Sequence, residues 1–319
     1  MKSVNICLCA NNWGDLLEQL RGKLPDFSIA VLDEENIVKH PEIKVLIPGI
    51  MKVTDDIISR LPNLVMIHQA GVGVDSVDLK AAKQRGIWVA NVPSYSSGNA
   101  ESVAEIAIHH MLSLSRRVPE AQGTMGNGGW GNPLGASLRG KTVGIYGAGG
   151  IGKALAERLV SFGVRLIGIK RNPERKRENM YPFERLEGLE FRKELLKIAD
   201  FVIITASANR LDELQPFTRD DFEAMKPSAY FINVSRGVWV NEDDLFDALK
   251  NKRIAGAGLD VLREEPPRSP ERWLNSGLNL FVTPHIGGCT HESYDGITQY
   301  IQKNIELVFR GLPPVHSLN

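Results

Sequence analysis

Short apolar runs alternate along the chain with longer stretches whose apolar residues recur at helical spacing. Residues 4–8, 44–47, 64–67 and 87–90 read as strands, and residues 13–21, 55–60 and 77–84 read as helices. Strand and helix in alternation imply crossover connections and a mostly parallel sheet. This first unit closes near Pro93. Residues 100–117 then form a helix on the spacing of Val103, Ile106, Ala107, Met111 and Leu114, and the glycine-rich stretch 123–135 reads as a loop. The alternation restarts with strands at 142–146, 165–169, 201–205, 229–234, 255–259 and 280–282. Helices fill the gaps at 151–162, 191–198, 219–225 and 243–250, and residues 290–310 read as one long helix. The fold class is α/β, and the second series of six strands meets the needs of a dinucleotide-binding sheet.

Composition narrows the setting. A chain of 319 residues has length for about two domains, and 43% hydrophobic with 24% charged residues is enough to build a sizeable core. Lys+Arg and Asp+Glu both total 38, so no global basic field exists to draw in nucleic acid or an anionic membrane. No apolar run reaches membrane-spanning length and the start carries no signal-peptide pattern, so a cytoplasmic protein is expected. Three cysteines, Cys7, Cys9 and Cys289, match neither a disulfide framework nor a zinc site, and Cys7 and Cys9 would share one face of a strand in the core. His109 and His110 are neighbours on a helix and face different ways, which suits packing or surface better than metal. His285 and His291 lack zinc spacing. No metal is expected.

The first chemical signal is Gly147-Ala148-Gly149-Gly150-Ile151-Gly152. A G-x-G-x-x-G array carries meaning when it leaves a strand and opens a helix, as here. Gly147 permits the tight turn, Gly149 lets backbone approach a pyrophosphate, and Gly152 lets helix and strand pack closely. Phosphates would sit at the helix N-terminus, against Gly150 and Ile151. About twenty residues on, a site for NAD usually carries an acid that binds the ribose hydroxyls. Lys170 and Arg171 stand there instead, followed by Arg175, Lys176 and Arg177. A cation cannot accept those hydrogen bonds but pairs with a 2′-phosphate, so NADP(H) is favoured over NAD(H). The same residues, read blandly, are a solvated basic loop.

Several separated motifs then occur in one order: Gly71-Val72-Gly73-Val74-Asp75, Asn91-Val92-Pro93 followed by Ser102-Val103-Ala104-Glu105, Trp130, and Leu138-Arg139-Gly140-Lys141. After the glycine array come Asn233-Val234-Ser235-Arg236-Gly237, then Gly258-Leu259-Asp260-Val261 with Glu265-Pro266, and Thr283-Pro284-His285-Ile286-Gly287-Gly288. Together they resemble the D-isomer-specific 2-hydroxyacid dehydrogenase family, with glyoxylate/hydroxypyruvate reductase-like features. The resemblance implies two Rossmann-like, doubly wound parallel-sheet domains with a cleft between them. It divides the chain into a discontinuous substrate domain, 1–98 plus 286–319, and a dinucleotide-binding domain, 99–285. It also implies a homodimer through the 100–117 helix region. Thr205, Val234, Ser235, Asp260, Gly287 and Gly288 become further coenzyme contacts. The segment from Thr205 to Ala208 departs from the family, which often carries a proline there.

The family assigns catalysis to Arg236, Glu265 and His285, and the residue types make that intelligible. Reducing a small 2-oxo acid requires a hydride from the nicotinamide, a proton for the carbonyl oxygen and a cation for the carboxylate. An imidazole suits proton donation, and a carboxylate beside it fixes one tautomer and favours the charged form. A guanidinium binds the carboxylate bidentately and polarises the carbonyl. Val72 and Gly73 would grip the carboxylate with their amides, with Arg236 and His285 as the other substrate contacts, as the cleft closes. Taken singly, these residues also fit ordinary loop positions, but all three follow expected strand ends, where ligands bind in open α/β sheets. Glyoxylate or hydroxypyruvate is the first substrate expected. One alternative is a D-3-phosphoglycerate dehydrogenase, although the chain stops at Asn319 without the regulatory domain many of these carry and residues 71–75 offer no extra cation. Another is an NAD(P)-sensing binding protein of the corepressor type, which would not need the acid–base pair.

Overall fold

Strands whose side chains are apolar on both sides need cover on both faces, and the chain provides that cover twice. The computed structural model describes residues 4–9, 15–172, 182–208, 215–274 and 276–319. It divides into two units, Met1–Asn99 with Thr290–Asn319, and Ala100–Cys289.

The first unit holds a five-stranded sheet of β1 (Ile6–Leu8), β2 (Ile29–Val31), β3 (Val45–Ile47), β4 (Met66–His68) and β5 (Trp88–Ala90), in the order β2-β1-β3-β4-β5. All pairs are parallel. Successive residues enter opposite faces: Ile6 and Leu8 join Leu16, Leu20, Ile297, Ile301 and Ile305, whereas Cys7 joins Ile57, Ile58 and Ala82. Cys9 follows Cys7 into that second cluster. β2 is absent from the sequence expectation. It is an edge strand in which only Ile29 is buried, whereas β1, β3 and β4 are buried throughout.

The second unit holds seven parallel strands: β6 (Thr142–Tyr146), β7 (Arg165–Ile169), β8 (Arg185–Glu187), β9 (Phe201–Ile204), β10 (Tyr230–Asn233), β11 (Gly256–Leu259) and β12 (Leu280–Val282). Their order is β12-β11-β10-β9-β6-β7-β8. The sequence foresees six of them. The seventh, β8, is an edge strand reading Arg-Leu-Glu, without the apolar run that marks the others. Helix Asn99–Ser115 packs Val103, Ala107, Met111 and Leu114 on one sheet face beside helix Gly150–Leu159, while Leu195, Phe222, Leu245 and Leu249 cover the other face. Part of the expected loop 123–135 is helical instead, because helix Val118–Gly126 runs through its first glycines. That helix buries no residue, so no apolar stripe marked it. Helix Leu16–Lys23 starts later than expected, and residues 13 and 14 of that expectation lie outside the described residues.

Candidate active site

The order of the seven-stranded sheet reverses between β6 and β9. Chain connections leave these neighbours in opposite directions, and such a switch point opens a crevice at the C-terminal strand ends. Residues 147–152 follow β6 there. Gly147 has φ +110°, and a side chain on it would meet the Ala206 backbone nitrogen at 2.3 Å. A Cβ on Gly152 would lie 2.5 Å from the Gly147 carbonyl oxygen. Packing therefore demands glycine at both positions. At Gly149 the nearest atom to such a Cβ is 4.0 Å away, so this glycine leaves open space. Helix Gly150–Leu159 begins beyond it without a side-chain cap, so its first-turn amides are not satisfied by capping. An open glycine before an uncapped helix start fits a dinucleotide pyrophosphate, which the amides of Gly150, Ile151 and Gly152 would hold.

Neighbouring strand ends complete this edge. The amides of Gly147 and Ala148 donate to the Ile169 carbonyl at 3.0 and 2.9 Å, which sets the end of β7 beside the turn. Half-buried Lys170 and exposed Arg171 come next in the chain. No acid stands at either position. Arg175, Lys176 and Arg177 lie outside the described residues. Thr205, after β9, donates its hydroxyl to the Gly147 carbonyl at 2.8 Å, so it braces the glycine turn. Buried Val234 follows β10, and Ser235 donates its hydroxyl to the Ala206 carbonyl, which also accepts from Trp239 Nε1 at 2.9 Å.

Arg236, Glu265 and His285 belong to the segments after β10, β11 and β12, which are adjacent in the sheet. Asn233 Nδ2 holds the Arg236 carbonyl at 2.8 Å. A Cβ on Gly237 would lie 2.0 Å from the Leu262 carbonyl carbon, so this glycine lets the Arg236 turn press on the segment that leads to Glu265. Glu265 Oε1 accepts from the Leu262 amide at 2.8 Å, and its Oε2 lies 2.6 Å from His285 Nδ1. An ionised carboxylate only accepts, so Nδ1 carries the hydrogen and Nε2 is left for other partners. The backbone of His285 is left-handed, at φ +54°. That conformation costs a non-glycine residue about 1 kcal/mol, so its surroundings must impose it.

Asp260 supplies much of that imposition. It is buried, and burial raises its pKa against the pull of the Thr283 hydroxyl, the Gly287 and Ile286 amides and the His285 charge. Its Oδ1 accepts from Thr283 Oγ1 at 2.6 Å and from the Ile286 amide at 2.9 Å. Its Oδ2 accepts from the Gly287 amide at 2.8 Å. Gly288 completes the same turn. His110, which sequence reasoning assigned to packing or surface, is buried with Nε2 3.0 Å from Thr283 Oγ1. The two residues are 173 positions apart, and no local pattern in the chain announces their meeting.

Val72 and Gly73 belong to the other unit, in the segment after β4. Asn91 Nδ2 donates to the Val72 carbonyl at 2.7 Å, and the Val92 amide donates to the Gly71 carbonyl at 3.0 Å.

Residues 108–287 match the family model described as "D-isomer specific 2-hydroxyacid dehydrogenase, NAD binding domain". A glyoxylate reductase of Thermococcus litoralis is 34% identical over 277 residues, covering 84% of this chain and 81% of that one. A D-3-phosphoglycerate dehydrogenase of Methanocaldococcus jannaschii is 35% identical over 86% of this chain, which spans 51% of that protein's length. The solved NADPH-dependent glyoxylate/hydroxypyruvate reductase of Sinorhizobium meliloti, in complex with NADP and malonate, superposes with a TM-score of 0.83 at 27% identity over 99% of this chain and 97% of that one. A glycine turn at the switch point of a parallel sheet is common to many nucleotide-binding proteins, but a match extending through the segments of Arg236, Glu265 and His285 is far narrower. On that match and the likeness to relatives along most of its length, the chain belongs to the D-isomer specific 2-hydroxyacid dehydrogenase family of NAD(P)-dependent oxidoreductases.

Proposed function

We propose that this protein reduces a small 2-oxo acid to the D-2-hydroxy acid, with glyoxylate and hydroxypyruvate as the first candidates, and that it prefers NADPH. The observation that carries the reading is the 2.6 Å contact between Glu265 and His285 Nδ1, in the loops that leave β11 and β12, of which β11 lies beside β10, the strand preceding Arg236. The bound coenzyme supplies a hydride. Glu265 fixes the tautomer of His285, whose Nε2 delivers the proton to the carbonyl oxygen. Arg236 binds the substrate carboxylate and polarises the carbonyl. The amides of Val72 and Gly73 are further carboxylate donors in this scheme. Gly147, Gly149, Gly150, Ile151 and Gly152 hold the pyrophosphate, and Lys170 and Arg171 meet the 2′-phosphate. Thr205, Val234, Ser235, Asp260, Gly287 and Gly288 shape the rest of the coenzyme site.

NADPH and NADH oxidation by purified protein, measured with a panel of 2-oxo acids, tests the reading. His285→Ala and Arg236→Ala should each lower kcat/KM by about a thousandfold. A wild type that oxidises neither coenzyme with any acid of the panel overturns it. Reaction with D-3-phosphoglycerate in the oxidative direction is the second reading, supported by relatives of that name, and the same assay separates the two. A sensing role alone leaves the Glu265–His285 pair without a use.

We further propose a homodimer through residues 100–117 and the segment that follows. Trp130 and Leu134 are 86% and 91% exposed, and Met125 is exposed with them, an apolar load that favours a protein contact. Sedimentation of a Trp130→Ser/Leu134→Ser variant should show monomers. We also propose a cytoplasmic location. No described helix is long and apolar enough to cross a membrane.

A further inference from the structure

We propose that His110 and Thr283 are positioning residues that act through Asp260 to hold His285 against Glu265. This rests on the assignment of His285 as proton donor.

Hydrogen counting fixes the direction of the relay. Thr283 has one hydroxyl proton, and at 2.6 Å it goes to Asp260 Oδ1, which has none to give when ionised. His110 Nε2, 3.0 Å from the same hydroxyl oxygen, must therefore carry a hydrogen and donate it. The sequence runs from imidazole N–H to hydroxyl to carboxylate. From there the carboxylate grips the amides of Ile286 and Gly287, and the Asp260 carbonyl accepts from the His285 amide at 2.8 Å. These contacts surround the residue at φ +54° whose side chain meets Glu265.

The surroundings of His110 argue that it is kept for this purpose rather than for packing. Among the described residues its Nδ1 is buried without a hydrogen-bond partner, a state that lowers stability and that leucine would avoid. Gly258 in β11 gives it room, since a Cβ there would lie 2.8 Å from that nitrogen. The Phe281 ring packs edge-on at 5.3 Å, and burial first, then the neighbouring His109, discourages protonation. A strand glycine and an unpaired nitrogen are both tolerated to place one N–H on Thr283.

Steady-state kinetics of His110→Leu, Thr283→Val and the double variant, with glyoxylate and hydroxypyruvate, test the relay. Each single change should lower kcat about tenfold while KM for acid and coenzyme moves less than about threefold. The melting temperature of His110→Leu should hold or rise. The double variant should be no slower than the slower single one, because both break the same line. His110→Gln and Thr283→Ser, which return a donor and a hydroxyl, should restore most of the rate. Amide hydrogen exchange at Ile286 and Gly287 should quicken about tenfold in both single variants, a readout independent of turnover. Unchanged exchange overturns the relay whatever kcat does, and so do kinetic losses that multiply in the double variant. A wild type without turnover overturns the functional reading instead, and exchange alone then decides the relay.

Discussion

Each unit buries a histidine completely, and the two are bonded in different ways. In the first unit His68 donates from Nδ1 to the Gln69 carbonyl at 3.1 Å and accepts at Nε2 from Asn304 at 2.9 Å. Asn304 in turn exchanges two hydrogen bonds with the Val315 backbone, at 3.1 and 2.8 Å. Every polar atom in that group has a partner, and the group ties β4 to helix His291–Phe309 and the final residues. Among the described residues the His110 ring in the second unit has one hydrogen bond, which leads by way of Thr283 and Asp260 to a loop at the strand ends. A saturated polar cluster serves stability. One left short of a bond, with its remaining contacts running toward a candidate active site, serves the placement of that site.

Substitutions can break or sharpen this division. Asn304→Leu should have the largest effect, about 4 kcal/mol by urea denaturation, because it strands His68 Nε2 and both Val315 backbone groups. Activity per folded molecule should be unaltered, and a loss of turnover without a loss of stability would contradict the division. Acid should come next. Burial lowers the pKa of His68 to about 4, so folding favours the neutral ring. That contribution is complete above about pH 6.5 and disappears as pH falls toward 4, a loss of roughly 3 kcal/mol. Denaturation curves at pH 7 and pH 4 should show the loss, reduced by that amount in His68→Leu. His110, lowered by burial to about 3, extends the same trend to lower pH.

Two smaller effects belong to the strand ends of the second unit. Lys170→Asp should shift the ratio of kcat/KM with NADPH to that with NADH about thirtyfold toward NADH, roughly 2 kcal/mol. An unmoved ratio removes the charge argument for NADP(H). Thr205→Val should lower stability by about 1 kcal/mol, because the Gly147 carbonyl loses its hydroxyl donor. It should also raise KM for the coenzyme severalfold.

What the sequence reveals depends on how far apart the cooperating residues are. β6 and β7 lie at the expected residues because five consecutive positions, almost all buried, leave little room for another reading. β2 escapes because only Ile29 of it is buried, and β8 because it reads Arg-Leu-Glu with none of the three buried. Helix Val118–Gly126 escapes because none of its residues is buried. At the site, the glycine turn is written in consecutive letters, and the motif segments of Arg236, Glu265 and His285 are recognisable one by one. The meeting of Glu265 with His285, and the support of that loop by Asp260, Thr283 and His110, joins residues from a helix and two strand ends, which only folding brings together.

The first unit is built from two stretches far apart in the sequence, 1–99 and 290–319. Ile297, Ile301 and Ile305 of helix His291–Phe309 complete one face of a sheet whose strands all lie before residue 91. During synthesis those strands emerge from the ribosome well before the helix that covers them. The whole of the second unit is translated in between. Until residues 290–319 follow, one side of the early sheet lacks part of its cover, and a chaperone able to shield that surface has its clearest opportunity on this protein in that interval.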